Sequence, residues 1–94
     1  MIQTERRCWL CGRNGSDDRL ELHHIFPGAY RSKSDRLGLV VYLCGVRCHR
    51  LGKYAVHNNA ETMRKLKIYG QQKAMEENGW TIEDFRREFG KTYL

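Results

Sequence analysis

The sequence predicts a small α+β domain, a two-stranded hairpin drawn together by its own cysteines and followed by two C-terminal helices. Three observations carry that expectation. The four cysteines form two short-spaced pairs, Cys8/Cys11 and Cys44/Cys48. Between the pairs lie two short stretches rich in leucine, valine and aromatic residues. Past residue 58, apolar side chains recur at helical spacing. A chain of 94 residues suits one domain, divided into a stapled core over 1–58 and a helical extension over 59–94.

Each element has a local reason. Cys8-Trp9-Leu10-Cys11-Gly12 reads as a knuckle, with Gly12 and Gly15 supplying the left-handed angles of tight turns. Residues 20–26 read as a strand with Leu20, Leu22 and His24 on one face, stopped by Pro27-Gly28. A polar, basic loop is expected over 29–38. Residues 39–43, β-branched and aromatic, read as the return strand. It leads into the second knuckle, where a short helical turn should run to about Leu51-Gly52. Asn58, with Glu61 three residues on, resembles a capping box, and Asn59 is an alternative cap. Met63, Leu66, Tyr69 and Ala74 then mark a helix that Asn78-Gly79 ends. Thr81 caps a second helix, whose Phe85 and Phe89 should dock on the first before Gly90 stops it.

Charge and cysteine usage narrow the function. Seventeen Lys and Arg against eleven Asp and Glu give a formal charge of +6, which suits a polyanionic partner such as nucleic acid. Plain solubility is the bland alternative. Residues 2–7 contain no apolar run of the kind that directs export, and residues 39–44 are too short to span a bilayer. A cytoplasmic, reducing location with no membrane partner is the expectation. There, metal binding explains clustered cysteines better than disulfides do.

Zinc prefers four thiolate or imidazole ligands in a tetrahedron, and each tight turn lets two cysteines address one ion. Cys8, Cys11, Cys44 and Cys48 therefore read as a structural zinc site that closes the intervening loop and turns metal affinity into folding stability. The simpler alternative is a set of buried thiols. Spacing alone also leaves His49 open as the fourth ligand in place of Cys48.

If both knuckles meet at one ion, the strand end carrying His23 and His24 approaches His49. Neighbouring strand residues face opposite ways, so His23 and His24 cannot share a role. One suits a metal and the other a substrate, because a neutral imidazole can take a proton from water near pH 7. Taken singly, each histidine is as well explained by a hydrogen-bonded core position.

Taken together, Cys8-x-x-Cys11, Leu22-His23-His24-Ile25-Phe26-Pro27-Gly28 and Leu43-Cys44 through Cys48-His49 resemble the zinc-stapled HNH endonucleases. The likeness covers residues 8 to about 57. The tail Phe89-Gly90-Lys91-Thr92-Tyr93-Leu94 further resembles small phage and prophage HNH proteins. The resemblance implies a ββα-metal (His-Me) fold around one catalytic divalent ion, Mg²⁺ or a transition metal, acting on DNA. It implies that His24 is the general base, and that His23 and His49 hold the ion. His57 sits where several members keep another metal-binding histidine; packing beside Asn58 is its alternative. Arg31, Lys33, Arg36, Arg47, Arg50 and Lys53 would contact phosphates.

One departure stands out. The middle Asn of the motif, which orients the base histidine, is absent from residues 35–41. Ser34, Asp35 or a backbone carbonyl would have to take its place. Two functions follow as expectations: a DNA endonuclease leaving 5′ phosphate and 3′ hydroxyl ends, or a non-catalytic zinc module gripping nucleic acid or a protein. The C-terminal helices leave three uses open, namely covering the core, building a homodimer, or docking on a larger phage-type complex.

Overall fold

The computed structural model describes residues 5–94, so Ile2, Gln3 and Thr4 of the stretch read for an export signal lie outside the described residues. Strand β1 (Leu20–His24) pairs antiparallel with β2 (Val40–Cys44), with Leu20 opposite Cys44, His23 opposite Val41 and His24 opposite Val40. This register sets the end of β1 that carries the histidines against the start of β2. It also leaves the cysteine end of β2 beside the first knuckle, where Trp9 N–H donates to Tyr42 O at 2.8 Å. The domain is α+β, as expected. Of the face assigned to Leu20 and Leu22, only Leu20 is buried; Leu22 is 55% exposed on the rim of an open cleft.

Residues 29–38 are not a loop. A 3₁₀ turn (Gly28–Tyr30) runs into helix α1 (Arg31–Leu37), which ends at Gly38 with φ 71°. The cause lies in Ser34, fully buried, whose Oγ accepts from Phe26 N–H at 3.2 Å and donates to Phe26 O at 3.0 Å. That clamp fastens a polar helix to the end of β1.

The second knuckle is a π-helical turn (Gly45–Arg50) rather than an α-helix. Asp18 explains its start, because its carboxylate accepts from Val46 N–H at 3.1 Å and Arg47 N–H at 2.8 Å. The wide turn closes with Leu51 N–H donating to Val46 O at 2.8 Å.

Helix α2 (Ala60–Asn78) begins at Asn59, whose side chain accepts from Thr62 N–H at 3.0 Å. Asn58 is not the cap; its amide donates to Gly52 O at 3.1 Å. Helix α3 (Ile82–Phe89) carries the reciprocal capping box of Thr81 and Asp84. Phe85 and Phe89 enter one core with Leu66 and Ala74 of α2, and their rings also rest on Phe26, at centroid distances of 5.5 and 4.8 Å. Burying each such ring contributes about 1.5–3 kcal/mol, so the C-terminal helices hold the segment just after His24. Gly70 brings α2 close to that segment: a Cβ there would stand 2.7 Å from Ile25 Cγ2. No helix among the described residues is long and apolar enough to cross a membrane.

Candidate metal centres

The two knuckles meet. One ligand atom from each of Cys8, Cys11, Cys44 and Cys48 lies within 4.8 Å of the others, and the Cys11 and Cys44 sulfurs are 3.5 Å apart. A Zn–S bond of about 2.3 Å places tetrahedral sulfurs about 3.8 Å apart, so these four could hold a zinc ion. Cys8 Sγ also accepts from Cys11 N–H at 3.5 Å and Cys44 N–H at 3.4 Å.

The thiols differ in their readiness to ionise. Burial pushes Cys44 up to about 12, and neighbouring thiols add to the shift; burial and the same neighbours push Cys48 up as well. Burial also opposes ionisation of Cys11. Hydrogen bonds from the Arg13 backbone and side chain, with Cys44 and Cys8, outweigh it and bring Cys11 down to about 6. Further thiolates in so small a space require a compensating cation. Arg13 has no counterpart in the sequence reading; its place two residues past Cys11 is the only trace it leaves there.

A second cluster forms beside the first. His23, His49 and His57 offer ligand atoms within 4.8 Å of one another, and His23 Nδ1 stands 3.2 Å from His49 Nε2. Cys48 therefore stands with the thiols and His49 with the imidazoles. The chain places His57 here through a backbone bond, His57 N–H donating to His49 O at 3.1 Å.

Tautomers follow from the partners. His49 Nδ1 is 2.9 Å from Glu21 Oε1, so Nδ1 carries the proton and Nε2 turns its lone pair toward His23. Arg50 also grips Glu21, at 2.6 and 2.8 Å, and Arg50 and His49 together hold that carboxyl below its usual range. Carboxylate-backed imidazoles are the common arrangement behind metal ligands. Glu21 escaped the sequence reading, although alternation puts it on the same side of β1 as His23. His23 is 4% exposed, and its Nε2 is buried with no hydrogen-bond partner among the described residues. Burial, with the adjacent His49 and His57, holds its imidazole down to about 4, and burial likewise lowers His57. Three imidazoles at close range, with burial keeping His23 and His57 from taking up protons, fit a divalent cation.

His24 faces away from the cluster's buried side and meets α1, where its Nε2 lies 2.7 Å from Asp35 Oδ1. Of the three replacements open for the missing Asn, Asp35 is the one in contact, and Ser34 is occupied with Phe26. His23, His24, His49 and His57 line one open cleft with Leu22 and Arg31.

The other basic residues divide by partner. Lys33 Nζ lies 2.6 Å from Glu88 O and 3.7 Å from Glu88 Oε2. Arg47 is 3.7 Å from Asp17, and Arg50 is tied to Glu21. Lys53 lies over the Tyr54 ring, and Arg36 is exposed on the last turn of α1. No family model, curated protein or solved structure matches this chain.

Proposed function

We propose that the protein is a metal-dependent DNA endonuclease of the HNH kind, with a ββα-metal core stapled by zinc at Cys8, Cys11, Cys44 and Cys48. The observation that carries this reading is the cleft in which His24, oriented by Asp35, stands beside the His23, His49 and His57 cluster. A structural zinc knuckle has no need of three converging imidazoles with a fourth on the same cleft.

The roles follow from the tautomers. Asp35 retains the proton on His24 Nε2, which leaves Nδ1 as the nitrogen that takes a proton from the attacking water. His23 and His49 hold the divalent ion, Mg²⁺ or a transition metal, with His57 as a third candidate, and Glu21 fixes His49. In phosphodiester hydrolysis such an ion supplies Lewis-acid stabilisation of the charge gathering on phosphate and the departing 3′ oxygen. Arg31, on the same cleft, is placed to meet the phosphate. The products are 5′ phosphate and 3′ hydroxyl ends, and the free thiols suit work in the cytoplasm.

The test is nicking of supercoiled plasmid with Mg²⁺, Mn²⁺ or Ni²⁺, comparing the unsubstituted protein with His24→Ala. Loss of nicking in the variant supports the assignment. No nicking with any ion, or equal nicking by both proteins, leaves the non-catalytic zinc module as the reading.

A further inference from the structure

Helix α2 and the C-terminal tail form an open groove of about 430 Å³, whose lining includes Arg64, Lys67, Lys91, Thr92, Tyr93 and Leu94. The groove is built. Gln71, fully buried, donates to Thr92 Oγ1 at 2.8 Å and accepts from Tyr93 N–H at 2.6 Å, which fastens the tail along α2. Tyr93 in turn packs on Phe26 at 5.6 Å. The Lys67 and Lys91 ammonium groups both lie over the Tyr93 ring, at 5.5 and 5.0 Å. An aromatic ring of this kind gathers two cations at one place.

Unlike Lys33, Arg47 and Arg50, the groove's Arg64, Lys67 and Lys91 form no ion pair with a carboxylate side chain among the described residues. Their charge is therefore available to an outside anion. The helix that lines the groove packs on the strand end that carries His23 and His24. Lys67 precedes Gly70 by one helical turn, and Gly70 abuts Ile25 and Phe26, the two residues after His24.

We infer that Arg64, Lys67 and Lys91 form a phosphate-binding track that holds the backbone of a DNA duplex leading into the histidine cleft. This rests on the nuclease reading for the cleft, but its recognition is electrostatic and independent of hydrolysis. Neighbouring cations without carboxylate partners, on the helix that packs behind the strand end of the cleft, complement successive phosphates. Of the six cations matched to phosphates from the sequence, Lys33, Arg47 and Arg50 are paired with carboxylates of their own.

The experiment measures polarisation of a labelled short DNA duplex across a salt series, without added divalent ion, so that binding is read apart from cleavage. The Arg64→Gln/Lys67→Gln/Lys91→Gln protein should bind at least about tenfold more weakly, with a log–log salt slope shallower by about two to three. The comparison is Lys65→Gln/Lys73→Gln/Arg86→Gln, which removes equal charge from residues paired with Glu61, Glu76 and Glu83. Equal loss in both variants means net charge alone, and overturns the track. Undiminished binding by the groove variant, or no duplex binding by the unsubstituted protein, overturns it as well. Plasmid nicking by the groove variant separates the two claims. A lost track with intact nicking leaves the nuclease reading standing, and a confirmed track without nicking leaves a DNA-binding zinc module. Melting curves of both variants establish that the fold is retained.

Discussion

His24 on β1 and Asp35 on α1 meet at 2.7 Å, a contact between residues eleven apart that the Ser34 clamp on Phe26 makes possible. The same helix that was expected to be a loop thus supplies the group that orients the candidate base. Asp35→Ala should lower plasmid nicking by at least about tenfold while leaving the metal content unchanged. Asp35→Asn, whose carbonyl can still accept from Nε2–H, should retain more activity. Equal nicking by all three proteins would show that the contact is an ordinary surface pair.

The cysteine centre is predicted to decide whether the domain folds. Structural zinc in small peptides contributes about 10–16 kcal/mol, as much as or more than the 5–15 kcal/mol stability of a whole domain. Metal analysis should find one tightly held zinc per chain, or two if the imidazoles also retain it through purification. Cys11→Ser, or strong chelation, should abolish the far-ultraviolet circular dichroism of α2. A fully folded, metal-free preparation would refute the staple.

His23 sets a pH window. Its imidazole is held from the ordinary 6.5 down to about 4, first by burial and then by His49 and His57. As pH falls from 6.5 toward 4, the unfolded chain binds a proton that the folded chain excludes. The stability is therefore fully present above 6.5 and is lost through that interval, by at most about 3 kcal/mol. The His23 ring resonances should stay at their neutral positions at pH 5.5, whereas a midpoint near 6.5 would contradict the burial.

Much of this was readable in the residues, and the failures have causes. Both cysteine knuckles, the strand pair, the Thr81 cap and the glycine stops at Gly79 and Gly90 rest on local chemistry, and local chemistry appears in a sequence. Helix α1 was hidden because its seven residues, RSKSDRL, contain one apolar side chain and its start has no side-chain cap. What holds it is a buried tertiary bond from Ser34. The π-helical turn was hidden similarly, since its start depends on Asp18, more than twenty-five residues earlier. Glu21 and Asp35 acquire meaning only once β1 is set against the π turn and α1. The unpaired character of Lys67 and Lys91 depends on where each acid falls in space.

Gly70 lets α2 lie against the strand end. Gly70→Ala would gain about 1 kcal/mol of helix propensity but press a methyl group 2.7 Å from Ile25 Cγ2 and 3.1 Å from Phe26 Cε2. Overpacking costs about 1–3 kcal/mol, so a net loss near 1 kcal/mol is expected in urea unfolding. A stabilised variant would mean that α2 can withdraw freely.

The most direct measurement is a calorimetric titration of Mn²⁺ or Ni²⁺ into protein whose four-cysteine site is already filled with zinc and whose zinc content has been brought to one per chain. One further ion should bind per chain, and His23→Ala/His49→Ala should lose it while keeping the zinc and the folded spectrum. Absence of a further ion, or unchanged uptake by the doubly substituted protein, would contradict a catalytic centre at the imidazole cluster.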